Sequence, residues 1–323
     1  RHTRFRNVTG VQTCALPISM AQVSVPASSA NIGPGFDCLG IALDLRDRFA
    51  AQVLDEQLID VDVTGEGAES FAKEGKPGQK NLIIKAMMAG FEHMGGKPRG
   101  IALRALNTIP HGKGLGSSAA AIVGGLALAR SLVLTGEQFM SNEELIALAT
   151  ELEGHPDNVA AAFYGGATIA WLEKIGSQTF GRAVSIPVAA EINALLLVPD
   201  AALSTAKARK LLPENISHQD AVLNSSRTAL LVHALSQRAD LLFAATEDLL
   251  HQKYRAQAMP KTIDLIDKLR GAGLAAVLSG AGPSVLVLYS GSDSEIDQIQ
   301  NQVSEIAKGF TSMKLAIARS GVE

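Results

Sequence analysis

Ten residues constrain this chain more than any others: Pro110-His111-Gly112-Lys113-Gly114-Leu115-Gly116-Ser117-Ser118-Ala119. Three glycines alternate with other residues immediately before an Ala-rich run, whose spacing predicts a helix opening at Ser117 or Ser118 and reaching about Val133. A glycine-rich main chain lets amide N–H groups approach an anion closely, and a helix N-terminus adds partial positive charge. The segment therefore reads as a phosphate cradle. The Ser117 and Ser118 hydroxyls can donate to phosphate, and either oxygen can ligate Mg²⁺. A flexible turn ending in a serine N-cap would explain the serines but not three alternating glycines. Neither G-x-x-x-x-G-K-[ST] nor the dinucleotide pattern G-x-G-x-x-G is present, and the protein-kinase motifs H-R-D and D-F-G are absent.

With 323 residues, 47% of them hydrophobic, the chain has room for two packed domains. Acidic and basic residues nearly balance, 32 against 29, which argues against nucleic acid as the main partner and for a small molecule. The longest apolar stretch, Ala119 to Leu134, contains Gly124, Gly125 and Arg130, so it suits a buried helix better than a bilayer span. Cys14 and Cys38 provide neither a disulfide framework nor a cysteine metal site, which fits a reducing cytoplasm. Residues 1–19 do not share the periodicity that follows Met20 and lack the continuous apolar core of a secretory signal. They are expected to be a non-native extension, with Met20 as the natural start.

Strand patterns are expected at Ala21 to Val25, Ile41 to Leu45, Phe49 to Leu54, Leu58 to Val63, Gly100 to Leu106 and Gly166 to Leu172. Helical spacing marks Asn81 to Met94 and Asn142 to Glu153. The polar stretch Glu173 to Arg182 reads as a linker, dividing the chain into residues 20–175 and 176–323. Beyond it lie a strand at Asn193 to Val198, helices at Thr205 to Leu212, Gln219 to Ser236, Asp240 to His251 and Pro260 to Gly271, and a strand-loop-strand ending at Tyr289. A helix near Glu295 to Lys308 and a strand at Ser312 to Ala318 close the pattern. Mixed elements in both halves, with no repeat period, argue an α+β fold.

Other segments concentrate polar groups among turn formers. Pro26 to Asp37 is a tight loop in which Asn31 and Asp37 can cap turns. Glu153-Gly154-His155-Pro156-Asp157-Asn158 reads as a helix stop followed by a helix start. Arg209 and Arg255, taken alone, read as solvated charges at helix ends. Ser279 to Ser284, between two apolar runs, can pack closely against another loop.

The run P-x-x-x-G-L-G-S-S-A resembles the second motif of the GHMP small-molecule kinases, in which it forms the ATP phosphate loop. P-A-S-S-A-N-I-G-P-G-F-D is similar to the first motif of the homoserine-phosphorylating branch, E-G-H-P-D-N to its middle motif, and S-G-A-G-P-S to the family's third. The resemblance spans Met20 to the carboxyl terminus, with the motifs in order. It implies a two-domain GHMP kinase fold, with a ribosomal-protein-S5-like ATP-binding N-terminal domain and a ferredoxin-like C-terminal domain. ATP and Mg²⁺ are the implied cofactors, and the hydroxyl of L-homoserine is the implied phosphoryl acceptor.

By the same resemblance, residues 110–119 bind the nucleotide. Asn31, Asp37, His155, Asp157, Arg209, Arg255 and Gly282 are the implied substrate contacts, with Asp37 on the ammonium group and the arginines on the carboxylate. Ser118 and Glu153, with Glu151 as the alternative carboxylate, are the implied metal ligands. Ser118, Glu153, Asp157 and Asn158 form the catalytic set. Several GHMP kinases carry an aspartate as general base where Asn158 stands here, so a base is left open; phosphoryl transfer can proceed by positioning and charge neutralisation. The competing readings are a GHMP kinase for mevalonate-like or sugar substrates, and a non-catalytic ATP or amino-acid sensor. A homodimer is neither required nor excluded.

Overall fold

The computed structural model describes residues 20–75, 78–291 and 293–323; the expected extension, residues 1–19, lies outside them. In the first half, β1 (Ala21–Ala30) pairs antiparallel with β2 (Leu39–Leu54), which also pairs with β4 (Gly100–Asn107) and β5 (Ala167–Ile175). With β3 (Ile59–Gly65) and β6 (Gln178–Ile186), the sheet order is β3-β4-β2-β5-β6, β1 lying on β2. The two strands expected between Ile41 and Leu54 are thus one. Their polar interruption has a structural cause: the register shifts opposite Pro26 and Ala27, and the buried Asp47 carboxylate accepts the Thr108 and Ile109 N–H groups at 2.6 and 2.9 Å.

Among the described residues the helices of this half are α1 (Ala68–Lys73), α2 (Leu82–His93), α3 (Ser117–Ser131), α4 (Gly136–Phe139), α5 (Asn142–Glu153) and α6 (Asp157–Tyr164). The α3 helix is apolar nearly all round and runs through the core, with Gly124 against Phe49 and Gly125 against Ile83 and Ala86. A capping box between Ser141 and Glu144 opens α5, and Gly154 at φ 93° closes it. The turn that begins α6 is thereby set immediately after Glu153.

The linker expected from Glu173 to Arg182 is instead the end of the β5–β6 hairpin, with Glu173 opposite Phe180 and Ile175 opposite Gln178. Its apolar residues Trp171, Leu172 and Ile175 are exposed, which erased the burial periodicity that marks a strand. The change of sheet falls later, between Ile186 and β7 (Asn193–Pro199).

The second sheet has the order β10-β7-β9-β8, built with β8 (Ala275–Leu278), β9 (Val285–Tyr289) and β10 (Phe310–Leu315), all paired antiparallel. The remaining helices are α7 (Thr205–Arg209), α8 (His218–Ser236), α9 (Leu242–Ala245), α10 (Pro260–Gly271) and α11 (Asp293–Ile306). The long helix expected at 240–251 stops at Ala245. Beyond it the Asp248 carboxylate accepts the N–H groups of Leu250, His251 and Gln252, offering the backbone a turn in place of helix.

The halves are not independent bodies. One apolar cluster runs from Val25, Ile41 and Leu43 through Leu231 and Leu235 to Val277 and Leu286. The end of the chain returns to the first sheet, with Ile317 bridging Leu43 and Glu323 exchanging main-chain hydrogen bonds with Ser24.

Candidate active site

The glycines of the 110–119 segment are used for conformation and for closeness. Gly112, Gly114 and Gly116 have φ of 68°, 76° and 65°, which side-chain-bearing residues rarely adopt. A Cβ on Gly114 would overlap the Ser279 carbonyl oxygen, and one on Gly116 would overlap Ser28 Oγ. Gly116 precedes α3 with no side-chain cap, so the first amides of a core helix stay available to a ligand. His111, Ser117 and Ser118 line a cavity of about 380 Å³ together with Asn81, Phe71 and Glu66. Lys113 differs from the expectation that it faces the nucleotide. Its ammonium donates to the carbonyls of Pro199, Asp200 and Ala201 at 2.8, 2.5 and 2.9 Å, tying the loop to the end of β7.

Ser118 Oγ donates to Glu153 Oε1 at 2.5 Å. Burial pushes the Glu153 carboxyl above its ordinary range, against the lowering effects of the Ser118 hydrogen bond and of His155. Glu151 is exposed and faces a different cavity with Glu143, Glu144 and Arg182, so only Glu153 stands beside Ser118. Among the described residues no group of three or more His, Cys, Asp or Glu side chains could hold a metal ion. A hydroxyl and one carboxylate suit an ion that takes its other ligands from phosphate and water, which is how Mg²⁺ is commonly bound.

The opposite wall begins with the loop after β1. Asn31 and Asp37 both hold left-handed backbone, at φ 55° and 54°, and Asn31 Oδ1 accepts the Asp37 N–H at 2.8 Å. Arg209 reaches Asp37 through two parallel bonds, NH1 to Oδ2 at 2.8 Å and NH2 to Oδ1 at 2.7 Å. That pairing holds Arg209 above its ordinary value. Arg255 is buried and donates to the Gly280 carbonyl at 3.0 Å; its Nε has no partner among the described residues. Burial, with help from the Arg209 charge, lowers it to about 10, still cationic at neutral pH. The Phe36 ring lies 5.5 Å from the Arg209 guanidinium and 5.7 Å from that of Arg255.

The remaining loops join these walls. His155 Nδ1 meets Asp157 Oδ1 at 3.0 Å, and this hydrogen bond raises the imidazole above its ordinary value. Asp157 Oδ1 also accepts the Asn158 N–H at 2.8 Å. Asn158 Oδ1 accepts from Ser28 Oγ at 2.9 Å, while the Ser28 N–H donates to Leu115 O. Ser279 Oγ lies 2.9 Å from Ser29 Oγ and 2.8 Å from Gly114 O, and the Gly280 N–H donates to Ala30 O. Gly282 of the 279–284 loop, at φ 84°, sits against Met259 at the head of α10. The structure thus brings the phosphate loop, the loop after β1, the His155 turn and the 279–284 loop into contact, with Arg209 and Arg255 closing the far side.

The GHMP kinases N terminal domain matches residues 81–166, and the GHMP kinases C terminal domain matches residues 226–309. The chain belongs to the GHMP kinase family. Among curated relatives it is similar to homoserine kinase of Streptomyces coelicolor, 42% identical over 94% of this chain and 98% of the relative. It is 47% identical to homoserine kinase of Clavibacter michiganensis, over 93% of this chain and 92% of the relative. Among solved structures, homoserine kinase from Cytophaga hutchinsonii shares the fold with a TM-score of 0.76 at 24% identity, covering 100% of this chain and 99% of the other. Putative homoserine kinase from Listeria monocytogenes follows with a TM-score of 0.68 at 29% identity, covering 94% and 98%. The two-domain GHMP kinase fold expected from the motifs is therefore the fold observed.

Several residues of this GHMP kinase that hold the site together escaped the sequence reading. Ser28, Phe36, Asn224, Thr228 and His251 all touch candidate site residues or their loops. Ser28 and Phe36 lie inside a motif already singled out. Asn224 and Thr228 sit on a polar helix, where a buried amide and a solvated one look alike in sequence.

Proposed function

We infer that this GHMP kinase transfers the γ-phosphoryl group of ATP to the side-chain hydroxyl of L-homoserine, giving ADP and O-phospho-L-homoserine, a cytoplasmic step toward threonine. The observation that carries the reading is a charged pair facing a phosphate cradle. Asp37 and Arg209 satisfy each other, and a zwitterion can replace both partners at once, its ammonium going to Asp37 and its carboxylate to Arg209 and Arg255. A mevalonate-like or sugar substrate lacks the ammonium and would leave the carboxylate of Asp37 without that partner. The near-full-length similarity to curated homoserine kinases supports the same choice.

The amides from Gly114 to Ser118 bind the phosphates without reorganising, and Ser118 with Glu153 would hold Mg²⁺. That ion, when bound, neutralises charge on the phosphate oxygens. Asn31, His155 and Asp157 orient the amino acid so that its hydroxyl oxygen lies in line with the γ-phosphorus; a bond forms from that oxygen as the bond to the ADP oxygen breaks, and the hydroxyl proton passes to an oxygen of the transferred phosphoryl group. Asn158 Oδ1 is already occupied by Ser28, leaving an amide NH₂ that donates and cannot take a proton. The reaction then rests on positioning and charge neutralisation.

Release of ADP, measured in parallel with homoserine, serine, mevalonate and galactose, tests this. Homoserine should give the highest kcat/KM by at least about 100-fold, the discrimination expected when buried polar groups would be left unpaired. Faster turnover of mevalonate or galactose would refute the acceptor, and no turnover with any of them would favour a sensor.

A further inference from the structure

Resting on the acceptor proposed above, we infer that Asn224 is a positioning residue that couples the anionic and cationic halves of the amino-acid grip. It stands on α8, a helix that supplies none of the candidate contacts, and is buried to 4% exposure. Both ends of its amide are used. The Nδ2 group donates to the Pro34 carbonyl at 2.9 Å, three residues before Asp37. The Oδ1 atom accepts the Leu249 N–H at 3.2 Å, six residues before Arg255. One side chain therefore ties the loop that carries the carboxylate to the turn that leads into the buried guanidinium.

Neighbouring groups show that this is an organised joint. Thr228 Oγ1, one turn along α8, lies 2.9 Å from the same Pro34 oxygen. His251 Nε2 lies 2.9 Å from Gly33 O; a carbonyl only accepts, so the imidazole carries its proton there. Gly33 itself has φ 50° and presses so closely on the Thr246 main chain that a Cβ would not fit. On the other side, Asp248 fixes the turn by accepting three N–H groups, and Gln252 Oε1 accepts the Leu278 N–H, joining the turn to β8 beside the 279–284 loop. The loop after β1 needs such support, because Asn31 and Asp37 occupy a backbone region that costs free energy unless its surroundings hold it. The phosphate loop has a separate attachment through Lys113 and Ser279. Loss of Asn224 should therefore loosen one wall of the site and spare the other.

Steady-state kinetics of Asn224→Leu, a change of similar volume that removes both bonds, should show the homoserine KM raised at least about tenfold, with the ATP KM within about twofold of wild type. Thr228→Val should raise the homoserine KM by about threefold. Asn224→Asp keeps the acceptor for Leu249 and loses the donor to Pro34, so it should fall between them. A purely structural role would lower the melting temperature and the amount of active enzyme but leave the homoserine KM of the folded fraction unchanged, and that result overturns the proposal. Should Asn224→Leu fail to fold, an unchanged homoserine KM in both Thr228→Val and Asn224→Asp overturns it equally. Wild type without homoserine turnover defeats the function itself, an outcome read before any variant is made.

Discussion

Two walls of the proposed site are built from different materials. The proposed phosphate wall is a single stretch, Gly112 to Ser118, that presents main-chain amides and has no room for a Cβ at Gly114 or Gly116. The proposed amino-acid wall draws Asn31 and Asp37 from the loop after β1, His155 and Asp157 from the turn at the start of α6, Arg209 from α7 and Arg255 from the turn after α9. A triphosphate offers many equivalent oxygens, so repeated amides suffice. A zwitterion offers one positive and one negative group at a fixed separation, and that needs charged side chains set at a matching distance. The first wall should thus fail through shape and the second through charge.

The largest effect is expected on the charged wall. Arg255→Ala should raise the homoserine KM by a factor equivalent to about 2–5 kcal/mol, because it removes a buried cation and strands the Gly280 carbonyl. Arg209→Ala should cost less, since its side chain is 42% exposed and solvent can replace part of its contact. In both variants the ATP KM should change by no more than about threefold. Selective weakening of ATP would erase the distinction between the walls.

Gly114→Ala comes next. Its φ of 76° and the overlap with the Ser279 carbonyl should reduce kcat/KM for ATP by about 30- to 150-fold, equivalent to ~2–3 kcal/mol. The homoserine KM should move little. An equal rise in both would mean that the loop transmits its strain through Ser279 to the opposite wall.

The smallest effect concerns His155. Its hydrogen bond to Asp157 raises the imidazole above the ordinary 6.5, so the folded protein binds this proton more tightly than the unfolded chain. The resulting stability is complete below pH 6.5 and is lost as pH rises through the raised value. Melting temperatures measured from about pH 6 to about pH 9 should show a gap between wild type and His155→Gln that narrows with rising pH, by about 2–4 °C at most. A gap that widens would reverse the sign and place the imidazole proton elsewhere.

The same contrast explains what could be read in advance. The phosphate loop was legible because conformation, glycine pattern and helix start coincide within ten residues. The start of α10 at Pro260 was similarly local. The charged wall was legible only through resemblance, since Arg209 and Arg255 in isolation look like solvated helix ends. Burial of Arg255 is a property of distant segments that no local pattern encodes. The β5–β6 hairpin was misread because its end is wet on both faces, and the helix expected through 240–251 failed because Asp248 competes for the amides that a helix would use. Lys113 carried the right charge in the right loop, yet it spends that charge on three carbonyls of the other half.

The return of residues 316–323 to the first sheet bears on how the protein is made. Asp44 and Ser24 find main-chain partners in Ala316 and Glu323, which the ribosome adds long after β1 and β2 have emerged. The first sheet must therefore wait, with one stretch of its backbone unpartnered, until residues 316–323 have been translated. Maturation of the proposed phosphate cradle and synthesis of residues 316–323 become linked events, so a nascent chain stalled before Ala316 would carry every glycine of the loop on an unfinished platform.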